Sequence, residues 1–138
     1  MKDFISRSTQ NKLNKNGYVF ITLFVGNREK VFGEIHNCEM ILNEYGKIIE
    51  MEWQLLCERY DYLEIDEYII MPDHFHALLK YSANQTAKTV QQLISSFKLK
   101  TSKLIHESGN AEFQWQKSFM DRKIINEYLN ITGQNSID

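Results

Sequence analysis

Two histidines, His74 and His76, flank Phe75 in the stretch MPDHFHALLKY at residues 71–81. The apolar residues that follow predict a β-strand, in which side chains two positions apart share a face. The two imidazoles would then lie about 7 Å apart at their Cα atoms, because a strand rises roughly 3.3 Å per residue. Ring nitrogens at that spacing can converge on one metal ion that keeps open positions for water or a phosphate oxygen. An HxH pair alone, however, is more often a pair of surface or core histidines than a metal site.

Length and composition predict a single domain over residues 1–138. The chain is 43% hydrophobic and 25% charged, as is ordinary for a globular protein, and it has no apolar run of membrane-spanning length. Its N-terminal stretch MKDFISRSTQNKLNKNG lacks the apolar region of a secretory signal, and Cys38 and Cys57 offer no framework of disulfides. We therefore expect a cytoplasmic protein without a membrane partner.

Charged residues are unevenly distributed along the chain. The net charge is −2, which does not by itself indicate a nucleic-acid-binding protein. Residues 4–28 and 87–106 contain no acidic residue, whereas residues 34–67 are strongly acidic. If the two basic segments meet in space, they form a groove for a phosphate backbone; the alternative is that their side chains are solvated positions on a helix and a tail. The basic residues concerned are Arg7, Lys12, Lys15, Arg28, Lys88, Lys98, Lys100 and Lys103.

The pattern of apolar residues and turn residues predicts an α+β fold. It indicates a strand at residues 18–25 that is buried on both faces or nearly so, a short hairpin that turns at Asn37 and Cys38, and a helix capped by Asn43. A longer hairpin over residues 62–81, a helix over residues 89–106, a strand at residues 113–119 and a short helix over residues 121–131 follow. This order predicts a ferredoxin-like or RRM-like antiparallel sheet with helices packed on one face.

Several stretches together resemble the REP-associated tyrosine transposases, which are IS200-like members of the single-tyrosine HUH transposase superfamily. EYIIMPDHFHALL is similar to the family's Met-Pro-Asn/Asp-His-x-His segment, and GYVFITLFVGNREKVFGEI is similar to its first strand and the signature that follows it. LNEYGKIIEMEW and SSFKLKTSKLI resemble its two helices, and FQWQKSF resembles its Trp-Gln-basic segment. The resemblance covers roughly residues 17 to 120 in order, which is far more specific than HxH alone.

The resemblance implies a reaction on single-stranded or hairpin DNA. In this family two histidines, here His74 and His76, and a polar side chain of the last helix hold Mg²⁺ or Mn²⁺ against the scissile phosphate. A tyrosine then attacks to give a 5′-phosphotyrosine and a free 3′-hydroxyl. A phenol needs such help, since its ordinary pKa is about 10. For contacts with the DNA backbone we expect Lys98, Lys100, Lys103 and Arg28.

The C-terminal stretch WQKSFMDRKIINEYLNITGQNSID departs from the family. One alignment places Tyr128 on the nucleophile, and Gln134 then stands near the position of the third metal ligand, although the residue one helical turn after Tyr128 is Thr132. The other alignment ends the chain before the catalytic tyrosine, so that Tyr128 is a half-buried helix residue without chemistry. A short final helix would also reach a partner's histidines more readily than its own, which allows a homodimer.

Three activities remain open at this point. The first is a metal-dependent endonuclease and strand-transferase that acts through Tyr128. The second is a non-catalytic relic that binds hairpin DNA, and the third is a metal phosphodiesterase that uses water. Adduct formation, binding alone or simple hydrolysis would separate them.

Overall fold

The computed structural model describes residues 17–82 and 86–117, together with the backbone of residues 122–124. Within these residues no helix is both long and apolar enough to cross a membrane. The elements, in chain order, are strand β1 (Tyr18–Phe24), a 3-10 turn (Gly26–Arg28), strands β2 (Gly33–His36) and β3 (Glu39–Leu42), helix α1 (Glu44–Arg59), strands β4 (Leu63–Met71) and β5 (His74–Tyr81), helix α2 (Val90–Glu107) and strand β6 (Arg122–Ile124).

The main sheet has four antiparallel strands in the order β4-β5-β1-β6. This is the order of a ferredoxin-like fold, so the predicted α+β class is confirmed. Strands β2 and β3 form a separate hairpin inserted between β1 and α1. Its turn lies at the predicted Asn37 and Cys38, whose φ angles of 52° and 67° are those of a two-residue hairpin turn.

Each helix begins after a residue whose side chain caps it, and for α1 this residue is the predicted Asn43. The side chain of Asn43 accepts hydrogen bonds from the backbone N–H groups of Tyr45 and Gly46, at the start of α1. Thr89 forms a capping box with Gln92 at the start of α2. These contacts satisfy N–H groups that a helix leaves without an internal partner, and they fix the residue at which each helix begins.

The two faces of the sheet differ in what covers them. On one face Phe75 is fully buried, and its ring lies 5.1 Å from that of Trp53 in α1 and 5.7 Å from that of Phe97 in α2. The opposite face of β1 carries residues that are only partly buried, so β1 has one fully buried face and no exposed residue, within the expectation that it is buried on both faces or nearly so. We call this second face the histidine face; its central residues are Phe20, Thr22, Phe24, His74 and His76.

The C-terminal elements differ from the prediction. Residues 113–117 make only an isolated bridge, between Trp115 and Val25, and the strand that pairs with β1 on the side away from β5 is β6. The predicted helix over residues 121–131 is therefore wrong at residues 122–124, and residues 125–131 lie outside the described part. Trp115 belongs to the core, because its side chain is buried and its indole N–H donates to the Thr101 hydroxyl.

Candidate metal and DNA site

The two histidines lie side by side near the start of β5, as the HxH spacing predicts. Their rings are 4.7 Å apart at the centroids and nearly perpendicular, with an interplanar angle of 79°. His74 pairs with Phe24 and His76 with Thr22 across the β1–β5 ladder. Since β5 is flanked by β4 and β1, the backbone that carries both imidazoles is held on two sides.

Each imidazole is oriented through its Nδ1 atom. His74 Nδ1 donates to Oδ1 of Asp73 over 2.6 Å, and His76 Nδ1 is in hydrogen-bond contact with the Thr22 hydroxyl over 3.0 Å. A partner at Nδ1 fixes the ring and makes Nε2 the nitrogen that can bind a metal. Phe20 stacks on His76, with centroids 5.8 Å apart and planes 13° from parallel, which adds a steric constraint on that ring.

The electrostatics of the pair favour neutral His76 at physiological pH. Burial, and after it the neighbouring His74, lower the pKa of His76 to about 4. Its ring therefore keeps a lone pair at neutral pH, which a metal ligand requires. For Asp73, burial raises the pKa, but its contacts with His74 and Arg28 outweigh burial and leave the pKa below its ordinary value. Asp73 is thus a carboxylate at neutral pH.

Arg28, one of the predicted DNA contacts, lies beside the histidines. Its Nε donates to Oδ2 of Asp73 over 3.1 Å, and its guanidinium carbon lies 4.3 Å from the centroid of the Phe24 ring. The Phe24 ring in turn lies 5.4 Å from that of His74. Arg28, Asp73, His74 and Phe24 therefore form a closed ring of contacts at the end of β1.

The described side chains fit a divalent metal through two imidazole ligands. Within residues 17–82 and 86–117 no group of three or more His, Cys, Asp or Glu side chains could hold an ion. A metal bound by His74 and His76 would thus keep positions for oxygen ligands, which Mg²⁺ and Mn²⁺ prefer. The predicted third ligand Gln134 and the predicted nucleophile Tyr128 lie outside the described residues.

The three lysines predicted to contact phosphate do not form one surface. All three lie on α2, which covers the face opposite the histidines, and positions 98 and 100 point to nearly opposite sides of a helix. Lys98 Nζ donates to the Gln116 carbonyl over 3.2 Å, whereas Lys100 lines a hollow between the two helices and Lys103 is exposed.

Lys98 nevertheless approaches the edge of the sheet near the histidines. The Gln116 N–H donates to the Phe24 carbonyl over 2.8 Å, so one peptide segment joins Lys98 to the end of β1. Lys98 and Lys117 line an open groove of about 600 Å³ along this segment. Of the three lysines, Lys98 is thus the one that a hydrogen-bonded segment links to the end of β1, where Phe24 pairs with His74.

Sequence reasoning missed the groups that orient the histidines. Thr22 lies 54 positions from His76, and only the register of β1 against β5 brings them together. The same register brings Phe24 opposite His74. Asp73 was visible as a turn residue beside His74, and the signal for its role is the carboxylate next to a potential metal ligand.

These features define a class: a ferredoxin-like antiparallel domain with two oriented imidazoles side by side on a central strand. A comparison with known protein families identifies the family to which the chain belongs. The model of the family described as "Transposase IS200 like" matches residues 15–134, and the chain belongs to this family.

Individual proteins and solved structures resemble this chain at low sequence identity. An uncharacterized protein of Haemophilus influenzae is 27% identical, over 83% of this chain and 76% of its own length. Among solved structures, that of a REP-associated tyrosine transposase bound to a REP hairpin has a TM-score of 0.51 at 16% identity, over 75% of this chain. This chain spans 53% of that transposase. A Deinococcus radiodurans protein described as a candidate transposase gives a TM-score of 0.50 at 11% identity, over 86% of this chain and 88% of its own. At these identities the structural likeness concerns the fold.

Proposed function

We propose that this IS200-like transposase is a metal-dependent endonuclease and strand-transferase that acts on single-stranded or hairpin DNA in the cytoplasm. The observation that carries the proposal is the pair of adjacent imidazoles whose Nδ1 atoms are engaged by Asp73 and Thr22. Membership of the family supports the DNA reaction, and the similarity to a transposase bound to a REP hairpin supports a hairpin substrate.

In this proposal the histidine face receives the scissile phosphate. When bound at His74 and His76, Mg²⁺ or Mn²⁺ supplies Lewis-acid polarisation of a phosphate oxygen. Arg28 contributes a fixed positive charge at the same end of the sheet. Lys98 and Lys117 extend that positive charge along the neighbouring groove, where a phosphate backbone would be attracted.

The covalent step is assigned to Tyr128. Its phenolic oxygen attacks the phosphorus, the bond from phosphorus to the 3′ oxygen breaks, and the departing 3′ oxygen takes up a proton while the phenol loses one. The products are a 5′-phosphotyrosine and a free 3′-hydroxyl. Because the phosphodiester energy is retained in the protein–DNA bond, a second 3′-hydroxyl can reverse the step and complete strand transfer.

The experiment is a search for this adduct with Mn²⁺ and a pool of 3′-labelled oligonucleotides that carry a hairpin and randomised flanks. We expect a protease-sensitive, slowly migrating labelled band that is absent with a chelator and absent in Tyr128→Phe. The matched control is Tyr18→Phe, since Tyr18 lies on β1 four positions before Thr22 and on the same face. This control should keep the band.

Each other outcome contradicts part of the proposal. Cleavage without an adduct would indicate a phosphodiesterase that uses water. Hairpin binding without cleavage would indicate a relic that has lost its nucleophile. A band that persists in Tyr128→Phe would assign the attack to another side chain. The homodimer stays a prediction, and the elution volume of the dilute protein tests it.

A further inference from the structure

Asp73 uses its two carboxylate oxygens for two different partners. Oδ1 accepts from His74 Nδ1 over 2.6 Å, and Oδ2 accepts from Arg28 Nε over 3.1 Å. The Asp73 side chain is 17% exposed, whereas that of Arg28 is 55% exposed. The inner group of this arrangement is therefore the carboxylate, and the guanidinium lies toward solvent.

The backbone around Arg28 is held in an unusual conformation. Asn27 and Arg28 have φ angles of 56° and 54°, in the left-handed region that non-glycine residues rarely adopt. Such a backbone conformation persists only where surrounding contacts enforce it. Here the enforcing contacts include the hydrogen bond to Asp73 and the position of the guanidinium over Phe24.

The loop and the turn that carry these groups are also tied together through the backbone. The N–H of Val25 donates to the Asp73 carbonyl over 2.9 Å, and the N–H groups of Val31 and Phe32 both donate to the Pro72 carbonyl. The chain before and after Arg28 is thus anchored to the turn that precedes His74. A change at the Asp73 side chain would leave these backbone contacts in place.

We propose that Asp73 is a positioning residue that directs His74 Nε2 toward the metal and the Arg28 guanidinium toward the same DNA phosphate. The inference rests on the proposed function and deepens it by linking a metal ligand to a phosphate-binding side chain. An arginine that donates Nε to a carboxylate still has its two terminal nitrogens with which to bind a phosphate. A carboxylate at His Nδ1 makes the ring a better ligand at Nε2.

The test compares Asp73→Ala, Asp73→Asn and the control Glu34→Gln in the full chain. Glu34 is matched because it also contacts a histidine, His36, over 3.0 Å, but on the separate exposed hairpin. Three properties are measured: the tautomer of His74 by nitrogen-15 NMR without metal, the affinity for Mn²⁺, and the affinity for a single-stranded hairpin oligonucleotide.

We expect Asp73→Ala to release the Nδ1 proton from its fixed site, to lower Mn²⁺ affinity about 10- to 100-fold and to weaken oligonucleotide binding. Asp73→Asn keeps one carbonyl oxygen for His74, so it should preserve the tautomer and most of the Mn²⁺ affinity while still weakening oligonucleotide binding. Glu34→Gln should change none of the three.

The outcomes separate this inference from the proposed function. An unchanged His74 tautomer and unchanged Mn²⁺ affinity in a folded Asp73→Ala protein would overturn the inference, while metal binding by the unaltered chain would still support the function. If the unaltered chain bound no Mn²⁺, the function would fail and the proposed role toward the metal would be overturned with it. Equal oligonucleotide affinity in Asp73→Asn and the unaltered chain would overturn the Arg28 half of the inference.

Discussion

Replacement of His76 by alanine is expected to reduce DNA strand cleavage by about 10³-fold or more. A metal ion contributes several kcal/mol to transition-state stabilisation, and each 1.4 kcal/mol corresponds to about a factor of ten in rate. His76 supplies one of the two imidazoles, and its ring is oriented by Thr22 and Phe20, so its loss would remove an oriented ligand of the proposed metal. The rate is measured at saturating Mn²⁺ with the labelled hairpin pool.

The control for this change is His36→Ala. His36 is the exposed histidine of the β2–β3 hairpin and contacts Glu34 there, on a sheet separate from the one that carries His74. Cleavage should be unchanged in this control. Comparable rates for His76→Ala and the unaltered chain would show that cleavage does not depend on the histidine pair.

Replacement of Phe75 by alanine should lower the free energy of unfolding by about 3–5 kcal/mol, as is usual for a buried aromatic side chain. Phe75 is 0% exposed, and its ring contacts those of Trp53 and Phe97, one on each helix. Its loss would leave a cavity at the point where both helices meet the sheet. Urea denaturation of the metal-free protein measures the effect.

The control for Phe75→Ala is the same truncation at an exposed apolar side chain of α2. Leu99 is 74% exposed, so Leu99→Ala should change the free energy of unfolding by no more than about 0.5 kcal/mol. If Phe75→Ala and Leu99→Ala unfolded at the same urea concentration, Phe75 would not be the link between helices and sheet that the packing indicates.

The alternation within HFH therefore has two consequences. His74 and His76 project to one face, and Phe75 projects to the other, where it joins the core. A shift of the strand register by one residue would bury the histidines and expose the phenylalanine. The hydrophobic packing of Phe75 thus fixes the face on which the imidazoles lie.

Much of this arrangement could be predicted from local sequence patterns. The cap at Asn43, the turn at Asn37 and Cys38, and the common face of the two histidines all depend on residues close together in the chain. Local rules of turn chemistry and side-chain alternation therefore describe them well. The sheet class followed from the order of these elements.

What the sequence did not predict depends on contacts between distant segments. Thr22 meets His76 only through the pairing of β1 with β5, and periodicity within one strand does not determine its register against another. Strand β6 is only three residues long. Its pairing with β1 defines it as a strand, and not the β-propensity of its own residues. The separation of Lys98 and Lys100 follows from the angle between their positions on α2, which a count of charges along the chain ignores.

The most direct test of the central claim is the coordination of Mn²⁺ itself. Electron paramagnetic resonance with detection of nitrogen couplings should show two imidazole nitrogens bound to Mn²⁺ in the unaltered chain, and one in His74→Ala or His76→Ala. A spectrum of the hydrated ion alone, or two couplings that persist in both variants, would contradict a metal held between His74 and His76.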